Sequence, residues 1–451
     1  MRDSDYNTIK QLFAFIEHSP SPFHAIANMK KELDERGYVQ LLESEAWSLR
    51  AGGRYYVIRN SSSIIAFRIP EKNIRGFQIV ASHSDSPSFK IKENPEIEVD
   101  HYYVKLNVEK YGGMLLAPWF DRPLSVAGRL IIKEGNRLIT RLVSIDRDLC
   151  MIPNVAIHMN RKANEGYEFN VQKDMLPLYG CVGDGESFLT QIARAAGVKK
   201  EAIAGSDLFL YNRMKGSVWG AQEEFISIGK LDDLQCAFSS LQAFLKAGEA
   251  QSIPVHCVFD NEEVGSGTKQ GAASTFLLDT LLRINEGLGR SRSGYHQALS
   301  SSFMLSADNA HAVHPNWPDK ACPTNRPYPN GGIVMKFSAN QRYTTDAVAA
   351  AVFAQICERA GVPCQTYVNR SDIPGGSTLG NISGTQVALN TVDIGLAQLA
   401  MHSPYETGGA KDTDYMIRAM TEFFQTSLTE DGCGSYTLHY REGEESVSAR
   451  R

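Results

Sequence analysis

The chain lacks the marks of several large functional classes. No apolar run approaches the roughly 20 residues needed to cross a bilayer, so no membrane partner is expected. The first residues, Met1-Arg2-Asp3-Ser4-Asp5-Tyr6, put acids where a secretory signal needs a basic stretch and then an apolar one, so export is not expected either. Basic excess is missing too. Lys and Arg number 46 against 51 Asp and Glu, a net charge of -5, with no basic segment to meet nucleic acid. The eight cysteines, at 150, 181, 236, 257, 322, 357, 364 and 433, never fall in Cys-x-x-Cys spacing and read as reduced thiols of a cytoplasmic protein. Internal repeats and low-complexity blocks are absent. What is there is 451 residues, 43% hydrophobic and 22% charged, an ordinary globular composition with chain enough for two to three domains.

Along the chain two textures alternate. Residues 6 to 37 carry apolar positions at helical spacing, broken by Ser19-Pro20-Ser21-Pro22, and predict a helix pair. Strand-like runs follow at Tyr55 to Ile58, Ser63 to Phe67 and Gly76 to Ala81. From about 90 to 230 short strand-like segments dominate, with one helical stretch near 186 to 196. This predicts a β-rich domain, residues 93–227, inserted into a discontinuous domain of residues 1–92 and 228–451. In the second half, strands near 254 to 259, 302 to 307, 332 to 337 and 388 to 394 alternate with helices near 271 to 285, 344 to 360 and 410 to 427. That alternation predicts an α/β/α sandwich with a largely parallel sheet. The charged tail, Arg441 to Arg451, is expected to fray.

One stretch organises the rest. After the apolar run Ile253 to Val258 comes Phe259-Asp260-Asn261-Glu262-Glu263-Val264-Gly265-Ser266-Gly267, where adjacent carboxylates meet at a strand end. Like charges that close raise one another's pKa unless a cation or a shared proton compensates. Neighbours on a regular strand point to opposite faces, so both can serve one site only if the chain leaves strand geometry, which Gly265 and Gly267 permit. The same texture, an apolar run followed by Asp, Glu or His, recurs at His83-Ser84-Asp85, Asp308 and His402, and the pair Asp232-Asp233 opens a helix. Singly, each has an ordinary explanation as a core histidine, a helix cap or a turn former. Jointly, at the carboxyl ends of strands in an open α/β sheet, they fit two metals held by two His, a terminal Asp, a terminal Glu and a bridging Asp, with one carboxylate left free. Mixed imidazole and carboxylate suit Zn, with Co or Mn as substitutes, better than Mg or Ca.

Five segments then carry a resemblance: Asp260 to Ser266, His83-x-Asp85-Ser86-Pro87, Ser306 to Asn316, Gln341-Arg342-Tyr343, and Gln398 to Ser403. In order, spacing and flanking residues they resemble the M18 family of metalloaminopeptidases, the aspartyl aminopeptidase family, over about residues 8 to 428. Trp119-Phe120-Asp121-Arg122 and Pro153-Asn154-Val155-Ala156-Ile157-His158 look like that family's signatures in the inserted domain. The resemblance implies one zinc on His83, Asp232 and Asp308 and another on Asp232, Glu263 and His402, with Asp232 as the bridge. It implies Glu262 as general base and acid and Asp85 as the carboxylate that orients His83. His158, His311, Lys336 and Tyr343 fall on substrate-contact positions, His158 reaching in from a neighbouring subunit. A tetrahedral homododecamer of dimers is implied, the inserted domain serving dimerisation, with peptides as substrates. Asp233 stands where relatives commonly carry Asn. Met114-Leu115-Leu116 after Gly112-Gly113, and Pro123 after Asp121-Arg122, look more like the family's bacterial branch.

The expected reaction is hydrolysis at a peptide's amino-terminal residue. Glu262 takes a proton from water, either His311 or Tyr343 adds a hydrogen bond to the oxyanion, and Lys336 is the candidate partner for an acidic first side chain. A two-zinc deacylase or carboxypeptidase would instead accept amino-terminally blocked peptides, and a silent metal-stabilised scaffold would hydrolyse nothing.

Overall fold

Strands form where the apolar runs stand. Phe77–His83, Ile253–Phe259 and Phe303–Ala307 are buried at every position, as strands covered on both faces must be. These three lie side by side and parallel, with Asn390–Gly395 parallel beyond them, at the centre of a nine-stranded sheet. Antiparallel neighbours begin each margin. Ser63–Arg68 pairs with Ile253–Phe259 and leads out to Arg54–Arg59 and Val39–Leu41, while Ile333–Phe337 pairs with Asn390–Gly395 and leads out to Cys364–Val368. The computed structural model describes residues 2–440 apart from 72, 73 and 184, so the tail Arg441 to Arg451 lies outside the described residues.

Side chains alternate across the central strands. Val80, Val258, Leu305 and Val392 enter one core, shared with the helices Asp3–Glu17, Pro22–Glu35, Leu231–Lys246, Ala347–Ala360 and Asp412–Gln425. Ile79, Cys257 and Met304 enter the other, under Phe276–Gly287 and Arg292–Ser300. Helices on both faces make the α/β/α sandwich. The proline-rich break separates the first two helices, with Pro22 at the first helical position, where a missing N–H removes no hydrogen bond.

Between Ser88 and Asn212 the chain builds a second, six-stranded antiparallel sheet with its own core, which includes Phe89, Leu106, Leu130 and Phe188. Residues 92 and 93 fall inside the strand Ser88–Val99, and residues 227 and 228 inside Phe225–Ile228. Asp121 accepts hydrogen bonds from the backbone N–H (2.9 Å) and Nδ2 (2.8 Å) of Asn154, which joins the two motif stretches of this region in space. A third, five-stranded sheet was not anticipated. It gathers Ser217–Trp219, Phe225–Ile228, Glu406–Gly409, Ala397–Leu399 and Ala310–His311. Among the described residues no helix is long and apolar enough to cross a membrane.

Candidate metal centre

Parallel strands end at one edge of a sheet, and that edge collects the polar side chains. His83 closes Phe77–His83, and Asp308 follows Phe303–Ala307. After Ile253–Phe259 the chain leaves strand geometry at Asn261 (φ 63°), makes one turn at Glu262–Val264 and exits through Gly265 (φ 94°). Gly265, and not Gly267, is the glycine with positive φ. Asp232 and Asp233 sit in a kink of non-helical backbone at the head of Leu231–Lys246. His402 (φ 66°) lies in the loop between Ala397–Leu399 and Glu406–Gly409.

These side chains converge. Potential ligand atoms of His83, Asp232, Asp233 and Asp308 lie within 4.8 Å of one another, as do those of His83, Glu262 and Glu263 and those of Asp232, Glu263 and His402. Asp232 stands in the middle: Oδ1 is 3.5 Å from His83 Nε2 and Oδ2 is 3.3 Å from His402 Nε2. Glu263 Oε2 is also 3.3 Å from His402 Nε2. The far nitrogen of His83, Nδ1, is 3.0 Å from the Asp85 carbonyl and 3.3 Å from Asp85 Oδ1, which turns Nε2 inward. Asp85 also accepts from the backbone N–H groups of Glu262 (3.1 Å) and Glu263 (3.2 Å) and from the Tyr111 hydroxyl (2.7 Å).

Burial dominates the electrostatics. It pushes Glu263 well above the usual carboxylate range, with Asp232 adding to the effect. Burial raises Glu262 to about 8, where the pull of His83 is outweighed by the charges of Asp308, Asp85 and Asp232. Asp308 is raised to about 6 by burial, against Lys336 and with Asp232. For Asp232, burial is overcome by the attraction of the nearby His402 and His83 imidazoles, which holds it well below the usual range. Burial would lower His402, but its hydrogen bond and attraction to Asp232 raise it to about 8. So much buried negative charge calls for positive charge beside it. Asp232 Oδ1, Asp233 Oδ1 and Glu263 Oε1 are buried and without a hydrogen-bond partner. Unpartnered carboxylate oxygens beside two imidazoles form a donor set that fits zinc.

Glu262, Asp308, His311, Lys336, Tyr343 and Tyr367 line a cavity of about 130 Å³ together with Asp232 and His402. Lys336 is 2% exposed. Its Nζ donates to the carbonyls of Asp308 (2.7 Å) and Asn309 (3.3 Å) and lies 3.6 Å from Asp308 Oδ2. Two of the ammonium's three N–H donors are thereby used, and Asp308 Oδ2 lies beyond hydrogen-bond distance of the third. His158 occupies an exposed turn and is not among the residues lining the cavity. Sequence reasoning missed Glu406, which is buried and accepts the backbone N–H of His402 on Oε1 (2.7 Å) and that of Asp232 on Oε2 (3.0 Å). Nothing around Glu406 carries the apolar-run texture that exposed the others. Asn309 was missed as well; its amide donates to Leu231 O, Gln235 Oε1 and Gln398 Oε1 and so ties three segments of the site together.

An α/β/α sandwich with imidazoles and carboxylates gathered at its strand ends, in a set that fits metal, defines the class of metal-dependent hydrolases. Residues 15–424 match the family Peptidase_M18, described as Aminopeptidase I zinc metalloprotease. The chain belongs to the M18 family, and it is a metalloaminopeptidase of zinc type. A relative from Clostridium acetobutylicum, described as "Probable M18 family aminopeptidase 2", is 46% identical over 423 residues, 92% of this chain and 98% of its own. That relative is bacterial, like the branch that Met114 to Leu116 and Pro123 resemble. A cryo-EM structure of an Ape4 and Nbr1 complex matches with a TM-score of 0.90 at 35% identity, over 93% of this chain and 86% of that one. The structure of the S. cerevesiae mApe1 dodecamer matches with a TM-score of 0.82 at 26% identity, over 94% of this chain and 97% of that one.

Proposed function

We propose that the chain is a co-catalytic two-zinc aminopeptidase that removes the amino-terminal residue of peptides. The observation that carries this reading is the position of Asp232, whose two oxygens face two different imidazoles at 3.5 and 3.3 Å. In this reading Asp232 bridges, His83 and Asp308 complete one zinc site, and Glu263 and His402 complete the other, with Co or Mn as substitutes. When bound, zinc polarises the scissile carbonyl and lowers the pKa of water. Glu262, outside both sets, takes the proton of the attacking water and returns it to the leaving amine. Asp85 holds the Glu262 backbone and orients His83. His311 or Tyr343, both at the cavity wall, donates to the developing oxyanion.

Lys336, in the cavity wall with two donors on the Asp308 and Asn309 carbonyls, is the proposed partner of an acidic first side chain. A preference for Asp or Glu as the first residue would then rest on Lys336, with His311 and a His158 supplied by another copy of the chain as further substrate contacts. Like the mApe1 neighbour, the chain is proposed to form a dodecamer, tetrahedral and cytoplasmic, built from dimers through the inserted β-rich domain of residues 93–227. The deciding variant is Glu262→Gln. Hydrolysis of aminoacyl-nitroanilides should fall about a thousandfold while elemental analysis still finds about two zinc ions per chain. Retained turnover would refute the general base, and hydrolysis of amino-terminally blocked peptides by the wild type would favour a deacylase.

A further inference from the structure

We propose that Tyr111 and the loop after it, carried by the six-stranded sheet, position the two histidines of the metal centre, Tyr111 by holding Asp85 against the His83 imidazole and the loop by holding the backbone of His402. The inference rests on the reading of His83 and His402 as metal ligands. Tyr111 closes the strand Tyr103–Tyr111. Its hydroxyl donates to Asp85 Oδ2 (2.7 Å) and accepts from Asn261 Nδ2 (2.8 Å). Asp85 is buried, and its oxygens are all in use: Oδ1 takes the N–H of Glu262 and faces His83 Nδ1, and Oδ2 takes the N–H of Glu263. Without the phenol, a buried carboxylate oxygen loses a donor and the carboxylate is freer to turn away from His83.

The residues that follow reach the second histidine. The N–H of Leu115 donates to the His402 carbonyl at 3.1 Å. Gly112 permits the approach, with φ +80° and space so small that a Cβ would stand 3.2 Å from both Cβ and the carbonyl oxygen of Glu263. One segment borne by a separate sheet therefore touches the surroundings of His83, Glu263 and His402 at once. The partner on an imidazole's far nitrogen fixes the tautomer and aim of the near one, so metal retention is tied to where the six-stranded sheet sits.

The test is zinc affinity by chelator competition for wild type, Tyr111→Phe and Tyr103→Phe, the last changing an exposed tyrosine of the same strand, with unfolding midpoints of the metal-free proteins. Tyr111→Phe should hold zinc about tenfold more weakly than wild type, with its metal-free midpoint lowered only slightly by the lost hydrogen bond and Tyr103→Phe behaving as wild type. Equal zinc affinity in Tyr111→Phe overturns the inference, and so does a loss of affinity matched by a loss of metal-free stability. A wild type that takes up no zinc overturns instead the metal reading beneath it.

Discussion

Side chains of the centre titrate together, and the direction of their shifts determines how the protein behaves when metal is removed. His402, raised to about 8, stabilises the fold below its unfolded value of 6.5, and that contribution disappears as pH rises through about 8. Glu262 and Asp308, raised to about 8 and about 6, keep protons in the folded chain that their unfolded forms release at 4.5 and 3.8. In each case the folded state binds more protons through this window, so metal-free stability falls with rising pH. Asp232 is lowered, so its contribution is lost only in acid below 3.8. His24 and His256, lowered to about 4 and about 3, work in the opposite sense up to 6.5, but they lie outside the ligand set and act equally with and without metal. The rise in melting temperature on adding zinc should therefore grow between pH 6 and pH 8, as measured by thermal denaturation with and without chelator. A rise that stays constant across this range would count against the cluster as the metal site. The candidate ligands were legible in the sequence because His83, Glu263, Asp308 and His402 follow apolar runs and Asp232 opens a helix. Glu406 and Tyr111 were not, since each joins the centre through hydrogen bonds to residues distant in sequence, Asp232 for Glu406 and Asp85 and Asn261 for Tyr111.

Turns set the site as much as side chains do. Glu262 and Glu263 face one centre because the chain reverses at Asn261 and leaves through Gly265, whose φ of 94° a side chain tolerates poorly. Gly267 has no such requirement, since a Cβ at that position would meet only the Gly265 carbonyl oxygen, at 4.0 Å. Gly265→Ala should cost about 1–2 kcal/mol of stability, and it should lower turnover by moving Glu262, while Gly267→Ala leaves both near wild type. Urea denaturation and nitroanilide kinetics on the two variants would show this, and equal effects would remove the turn from the argument. The sequence pattern located the strand and its acidic end but assigned the permissive role to both glycines, because composition carries no φ. The five-stranded sheet was illegible for a related reason. Its members run from Ala310–His311 to Glu406–Gly409, two to four residues each, too short for alternation to register.

Across the whole molecule one expected site residue stands apart. His158 lies in an exposed segment beside Val155, Ile157 and Met159, which are 54, 48 and 82% exposed. An apolar segment that open, anchored at its base by Asp121 through Asn154, suits burial against another copy of the chain. If another copy's cavity is completed in this way, a working site needs Glu262 from one chain and His158 from a second. Glu262→Gln and His158→Ala homo-oligomers should then each be impaired, and subunit exchange between them should recover turnover, because some mixed contacts join an intact Glu262 to an intact His158. Native mass spectrometry confirms that exchange has occurred. Exchanged oligomers with no more activity than the two parents would place His158 outside the catalytic cavity and leave substrate contact to Lys336, His311 and Tyr343.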